Sequence, residues 1–495
     1  MAYWKKEPFK DFLDEGYFAV VEAGPLYTPI NAWKVKRDDK LNIIVETIGD
    51  EETENKFHLD RADIPAGTLR VNTDRVKLKS QLLDTTVLFE GISAFNTEAY
   101  RSQSHGKREV RQVSKVRKIS ATVVNDEPAV FTIDYLENVP SYQWPDPVSN
   151  TVKTIETRVV GRPPHAITLT TEGESSSRGM ATVRLELDGT EFYVVSSTAK
   201  DEGQIRPGYI LYVGTPTQEF RRKVRAILSF SLGAFLVYLG TAAFTEKWHL
   251  KSFSAYSAYS MDMRAFGLPA HPPTLLGDRG VFEVRTAQMQ RLVSALYETY
   301  DMLNFGSLNW GYWHAVTAPV HIAAVHYGAL IEALQRRYID AHLADFPTRN
   351  IPDGKQWSAF AAYVDQLIGK LDIPDPAKVQ MQQNIGLLNQ VPRKAQTDEL
   401  LRHTGLILGK AENDAWKARH DAAHGNDTDD GDVRARIHSN RILRVMFHRM
   451  LLKITLGSDR YFDFTSLNYP LRGIDEPIPE DPKSDHGLGP LEETG

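Results

Sequence analysis

Trp416-Lys-Ala-Arg419-His420-Asp421-Ala-Ala-His424-Gly425-Asn426 packs an arginine, an aspartate and two histidines into six residues and then stops at a glycine. The approach to it has a helical period, with Leu400, Leu401, Leu406, Ile407, Ala411 and Ala415 recurring at mixed steps of three and four. Gly425 followed by Asn426 is a helix stop, because glycine enters the left-handed conformation past a helix end without a Cβ clash. His424 then sits at the helix end, and Arg419 lies about one and a half turns before it. One cation and one titratable imidazole are thereby held beside free carbonyls and an open loop. That arrangement suits an anionic ligand such as a phosphodiester.

Outward from this stretch the helical period persists. It predicts helices over 283–303, 318–343, 356–371, 376–389, 397–423 and 433–456. The second opens at Pro319, a favourable first helical residue. Between Ala315 and Arg336 its one charged side chain is Glu332. A carboxylate on so apolar a helix needs a partner. Arg419 is the residue proposed for it, against a structural salt bridge elsewhere. Before residue 281 the pattern changes. Residues 268–280, rich in Pro and Gly, read as a linker. Residues 1–267 read as β-rich, with short apolar or alternating runs at 17–21, 41–47, 86–89, 129–133, 152–160, 181–187, 192–196 and 209–213. The apolar run 226–245 formally meets a transmembrane length, but Gly233 divides it into a helix and a buried strand, and no membrane span is expected.

Composition limits the chemistry. The chain of 495 residues has no cysteine, which excludes disulfides, thiol catalysis and zinc–cysteine sites. A net charge of −6 provides no global attraction to nucleic acid, so such binding must come from local patches. Two patches qualify. Residues 101–118 carry Arg101, Lys107, Arg108, Arg111, Lys115, Arg117 and Lys118 against Glu109, and read either as a nucleic-acid contact or as a solvated hairpin rim. The last helix has no acid, and at 100° per residue Arg434, His438, Arg441 and His448 form a stripe, with Arg444 beside it. Arg434, Arg441 and Arg444 are the candidate RNA-phosphate contacts; a solvated face is the other reading. Leu443, Met446, Phe447, Met450 and Ile454 form the opposite, core face. From Gly473 the chain turns acidic and Pro-rich, and 461–495 reads as a flexible tail. Met-Ala-Tyr-Trp-Lys-Lys-Glu at the start has no apolar signal region, so no leader peptide is expected.

Three chemistries compete at 419–425. His420 and His424 have the i, i+4 spacing of an H-E-x-x-H metal site, with Asp421 where the general-base Glu stands and no third ligand at a recognisable spacing. A structural helix end, with Arg and His favourable to the dipole, is the second. Phosphodiester chemistry is the third. Arg419-x4-His424 within an all-helical region resembles the R-x4–6-H motif of HEPN ribonucleases. A β-rich region followed by such a domain is similar to the ApeA-type anti-phage defence family. One departure stands out: many HEPN nucleases carry Asn directly after the Arg, and here that place is His420.

The resemblance implies an α+β multidomain chain. A sandwich- or barrel-like sensing and regulatory domain (1–267) would precede an all-α HEPN helical bundle (281–460). It implies a cytoplasmic, metal-independent endoribonuclease without cofactor, acting in abortive infection. The ribose 2′-OH would attack phosphorus, with His424 as general base or acid and Arg419 stabilising the phosphoryl charge. His420 would orient its neighbours, and Glu332 would match the acidic residue of the early HEPN helix. RNA would be the substrate, a phage-derived factor the trigger, and a homodimer or higher homo-oligomer the assembly. The alternatives are a catalytically inactive HEPN module that binds RNA or protein, or an HDxxH metal-dependent hydrolase.

Overall fold

The segment Arg75–Ser80 reads R-V-K-L-K-S, and its Val76, Leu78 and Ser80 are buried in alternation with Lys77 and Lys79. This two-residue period, which keeps one face in the core, builds the first half of the chain. The computed structural model describes residues 13, 18–27, 30–50, 74–80, 85–101, 108–123, 126–160, 164, 166–196, 207–258, 268, 271–277, 283–346, 349–423 and 433–480. Two compact units result: 1–272 with 276–290, and 273–275 with 291–495.

The first unit holds an antiparallel sheet of strands β1 (Phe18–Glu22), β2 (Ile30–Arg37), β3 (Ile43–Asp50), β4 (Arg75–Ser80), β5 (Thr85–Arg101), β6 (Arg108–Val123) and β7 (Phe131–Glu137). It continues with β8 (Asp146–Val160), β9 (Ile167–Leu187), β10 (Thr190–Ser196), β11 (Gly208–Val213), β12 (Val237–Phe244) and β13 (Leu250–Tyr256). The strand order is β1-β4-β5-β6-β13-β12-β7-β11-β10-β9-β8, with β3 joining β6 and β2 joining β3. β6 changes partner along its length, pairing β13 over Lys118–Thr122 and β3 over Glu109–Val116. Val45, Val76, Phe89, Val116, Ile119, Ile133 and Phe244 belong to the core cluster that these strands share.

The basic run at 101–118 is part of the β5–β6 hairpin. Within it Val110, Gln112, Ser114 and Val116 point inward while Arg111, Lys115 and Arg117 are exposed. Arg111 reaches Glu46 at 3.4 Å and Lys118 reaches Glu90 at 3.0 Å. Two of its cations are thus held by carboxylates of neighbouring strands, which favours the solvated rim. Residues 102–107, Lys107 included, lie outside the described residues.

Helix α1 (Gln218–Ser231) is the one helix of the apolar run 226–245, and Gly233, at φ +60°, turns the chain from it toward β12. A Cβ on Gly233 would lie 2.1 Å from the His271 carbonyl carbon, so this close approach requires glycine. Arg221 and Arg225, one turn apart on α1, both donate to the buried carboxylate of Asp134 on β7. Among the described residues no helix is long and apolar enough to cross a membrane.

The helices are α2 (Thr286–Glu298), within which the two units divide, then α3 (Phe305–Thr317), α4 (Val320–Ala341), α5 (Gly354–Gly369), α6 (Asp375–Gln383), α7 (Arg393–Thr404), α8 (Lys410–Ala423) and α9 (Val433–Thr455). Two departures from the periodicity are physical. The predicted helix 397–423 is broken at Gly405, which takes φ +67° as the C-cap of α7. Helix α3 lies where none was predicted: F-G-S-L-N-W-G-Y-W-H-A-V-T is poor in intrinsic helix formers, and burial of Phe305, Leu308, Tyr312 and Trp313 stabilises it instead.

The expected flexible tail is also corrected in part. Strands β14 (Arg460–Phe462) and β15 (Leu471–Gly473) pair, and beyond them Ile474 and Ile478 are buried. Residues 481–495 lie outside the described residues. An antiparallel β-rich region followed by a helical region is therefore the architecture.

Candidate functional site

The described face of α8 that turns inward is Glu412, Ala415 and Arg419, spaced i, i+3, i+7. Two of these three are charged, so the helix needs partners from elsewhere to bury them. Glu412 finds them first. The Gly409 N–H donates to its Oε2 at 2.8 Å, which caps the start of the helix. Its Oε1 accepts from Arg449 of α9, and both side chains are fully buried. Arg449 Nη2 donates to the Ile407 and Ile474 carbonyls, at 3.1 and 2.9 Å.

Arg419 is 8% exposed. Its Nη2 donates to Glu332 Oε1 at 2.6 Å, which is the partnership proposed for the one charged side chain between Ala315 and Arg336. Its guanidinium carbon lies 3.3 Å from the Trp416 ring centroid, a stacked cation–π contact one turn back on α8. The third wall is Gly328 of α4. A Cβ there would come within 2.6 Å of Arg419 Nη1 and 2.7 Å of its Cδ, so the missing side chain leaves the space that the arginine fills. Arg419 Nε is enclosed and makes no hydrogen bond among the described residues. Glu332 is 45% exposed along its side chain, so the pair sits at an open margin of the helices. His424 lies outside the described residues, and of His420 only the backbone, within α8, is described. The HDxxH alternative concerns those same side chains.

The three proposed phosphate contacts divide. Arg434 and Arg441 are exposed on α9. Arg444 is not on a solvent stripe. Its Nε donates to Tyr312 Oη at 3.0 Å, its guanidinium carbon lies 5.7 Å from the rings of both Tyr312 and Phe464, and its Nη2 is enclosed. His448, also placed on that stripe, is fully buried and meets the same Tyr312 hydroxyl at 3.0 Å. The helical wheel failed because the second half of α9 is covered all round, and its polar groups are buried in pairs. Replacing Arg434 and Arg441 with Gln is expected to shift stability by no more than about 0.5 kcal/mol. Arg444→Gln is expected to cost about 1–3 kcal/mol, as loss of a buried donor does. Urea melts of the two variants check this; equal midpoints would return Arg444 to the surface.

Burial, reinforced by the nearby Arg444 charge, holds the His448 imidazole well below its usual 6.5. The unfolded chain takes up a proton at this position as pH falls past 6.5 and the folded chain does not. The stability supplied by neutral His448 is therefore complete above that pH and drains away below it. A series of urea midpoints from about pH 7.5 to about pH 5.5 is expected to fall more steeply for the native protein than for His448→Asn. Parallel slopes would rule this histidine out as the cause.

Gly328 and Tyr312 were given no role from the sequence, and Trp416 entered only as the start of the stretch around Arg419. The signal for Gly328 was available: a glycine in mid-helix costs about 1 kcal/mol relative to alanine and asks for a packing reason. Comparison with protein-family models, curated proteins and solved structures finds no match to the chain.

Proposed function

We propose that the chain is a metal-independent endoribonuclease of the HEPN type, acting in anti-phage defence. The observation that supports this reading is the setting of Arg419. A guanidinium is buried, clamped between an indole, a carboxylate and a glycine, and stands five residues before His424 in the sequence. Holding it there removes most of the side-chain freedom an arginine would lose on meeting a phosphate, so its charge is preorganised. In this reading Arg419 stabilises the charge that develops on the phosphoryl oxygens, and Glu332 keeps it in place. His424 moves the proton between the ribose 2′-OH and the leaving oxygen, since an unperturbed imidazole titrates near neutrality. Cleavage leaves a 2′,3′-cyclic phosphate. Exposed Arg434 and Arg441 contact the RNA backbone, and His420 orients its neighbours. The β-rich region restrains the nuclease in the cytoplasm until a phage-derived trigger arrives, and the helical bundles assemble as a homodimer.

The Arg419–Glu332 ion pair also favours a second reading, a catalytically inactive module in which the pair is a latch between α4 and α8. Incubating the protein with total RNA in the presence of EDTA separates the two. Cleavage that survives chelation, yields cyclic-phosphate ends and disappears in His424→Ala is the expected result. RNA left intact by the native protein, with and without phage-infected lysate, would leave the latch.

A further inference from the structure

Strands β8 and β9 continue far past their neighbours as a bare two-stranded ribbon. Every residue of 151–160 and 167–178 is exposed, on both faces. β8 is also the last strand of the sheet, so among the described residues its outer edge has no neighbour. A lone two-stranded ribbon is marginally stable in water, and an open edge is a template for another strand. The exposed side chains include Ile155 at 68% and Val159 at 63%, so apolar surface is left in water as well.

We propose that β8 pairs antiparallel with β8 of a second copy of this chain, about a two-fold axis at Thr157. A two-fold axis normal to a sheet sets residues equidistant from it opposite one another and on the same face. With the axis at Thr157, Glu156 of each copy faces Arg158 of the other, and Ile155 of each faces Val159 of the other. One face of the joint then carries two opposite-charge pairs, and the other carries four β-branched apolar side chains. Axes at Thr154, Ile155, Glu156 or Arg158 set no opposite charges directly across. Within one chain Arg158 Nε already donates to Glu156 Oε1 at 2.7 Å, so both heads reach the same side of the strand. The exposed ribbon carries Lys153, Arg158 and Arg178 against Glu156, Glu172 and Glu174, a neutral balance that suits self-pairing and not a polyanion. This inference does not depend on the ribonuclease reading.

The chain has no cysteine of its own, so one introduced thiol reports the axis. Opposed Cα atoms in an antiparallel pair are about 4.5–5.5 Å apart, within the roughly 4.4–6.8 Å that a disulfide spans. In the full-length protein Thr157→Cys is expected to give a covalent dimer under diamide on a non-reducing gel. Lys153→Cys, roughly 27 Å from its counterpart at about 3.4 Å per residue, stays a monomer. Arg158→Glu, which sets like charges across the axis, is expected to weaken self-association about tenfold. The exchange Glu156→Arg with Arg158→Glu restores it. Absence of a Thr157→Cys dimer, equal cross-linking at Lys153→Cys, or charge variants that associate like the native chain would each overturn the proposal.

Discussion

Arg449→Ala is expected to lower the melting temperature of the helical region by roughly 10 °C or more and to remove a large share of its stability. Arg449 and Glu412 are both wholly buried, and each is the other's counter-charge. Deleting one partner of such a pair leaves an uncompensated charge in the interior and costs about 3–5 kcal/mol. A domain of this size has about 5–15 kcal/mol to lose. Four further bonds depend on the same pair: the Gly409 and Ile478 N–H groups on Glu412, and the Ile407 and Ile474 carbonyls on Arg449. The knot therefore ties the start of α8, the middle of α9 and the chain after β15 together. The double variant Glu412→Gln with Arg449→Met is expected to recover much of the loss. It removes both charges, and the Gln carbonyl still accepts the capping N–H. Urea denaturation followed by circular dichroism measures both. An Arg449→Ala midpoint close to the native one would show that the pair contributes little.

On the proposed ribonuclease reading, Gly328→Ala is expected to cut RNA cleavage about a hundredfold while leaving the protein folded. The added methyl falls 2.6 Å from Arg419 Nη1 and must displace the guanidinium. A catalytic group misplaced by about 1 Å can lose about that factor in rate. The gain of about 1 kcal/mol that alanine brings to a helix interior over glycine offsets part of the cost of moving the clamped arginine. Arg419→Ala should remove cleavage altogether, and Arg419→Lys should not rescue it, since an ammonium lacks the planar fork that holds both carboxylate and phosphate. Wild-type cleavage by a folded Gly328→Ala protein would mean that the position of Arg419 does not matter to the reaction. A large drop in melting temperature would mean instead that the pocket is a packing feature.

Local order was legible in the sequence, because it depends on neighbours within a turn or a strand. The two-residue alternation of the first half and the three-to-four-residue period of the second separated sheet from helix. Gly233 marked the turn between α1 and β12, and the isolated acid on α4 asked for the partner it has. Strands such as Arg75–Ser80 escaped notice because their alternation rests on only two apolar residues, Val76 and Leu78, and α3 because its aromatic, glycine-containing sequence is helical only when buried. What no local pattern could decide was which charges are inside. Arg444 and His448 share a hydroxyl from Tyr312, over 130 residues away along the chain. Arg449 is neutralised from α8, and Arg419 owes its place to a side chain that Gly328 does not have. A lone charge on a helical wheel reads as solvent-facing, since burying it alone is prohibitive. Only the tertiary structure supplies the distant partner that makes burial affordable, and so only the tertiary structure distinguishes a surface arginine from a buried one.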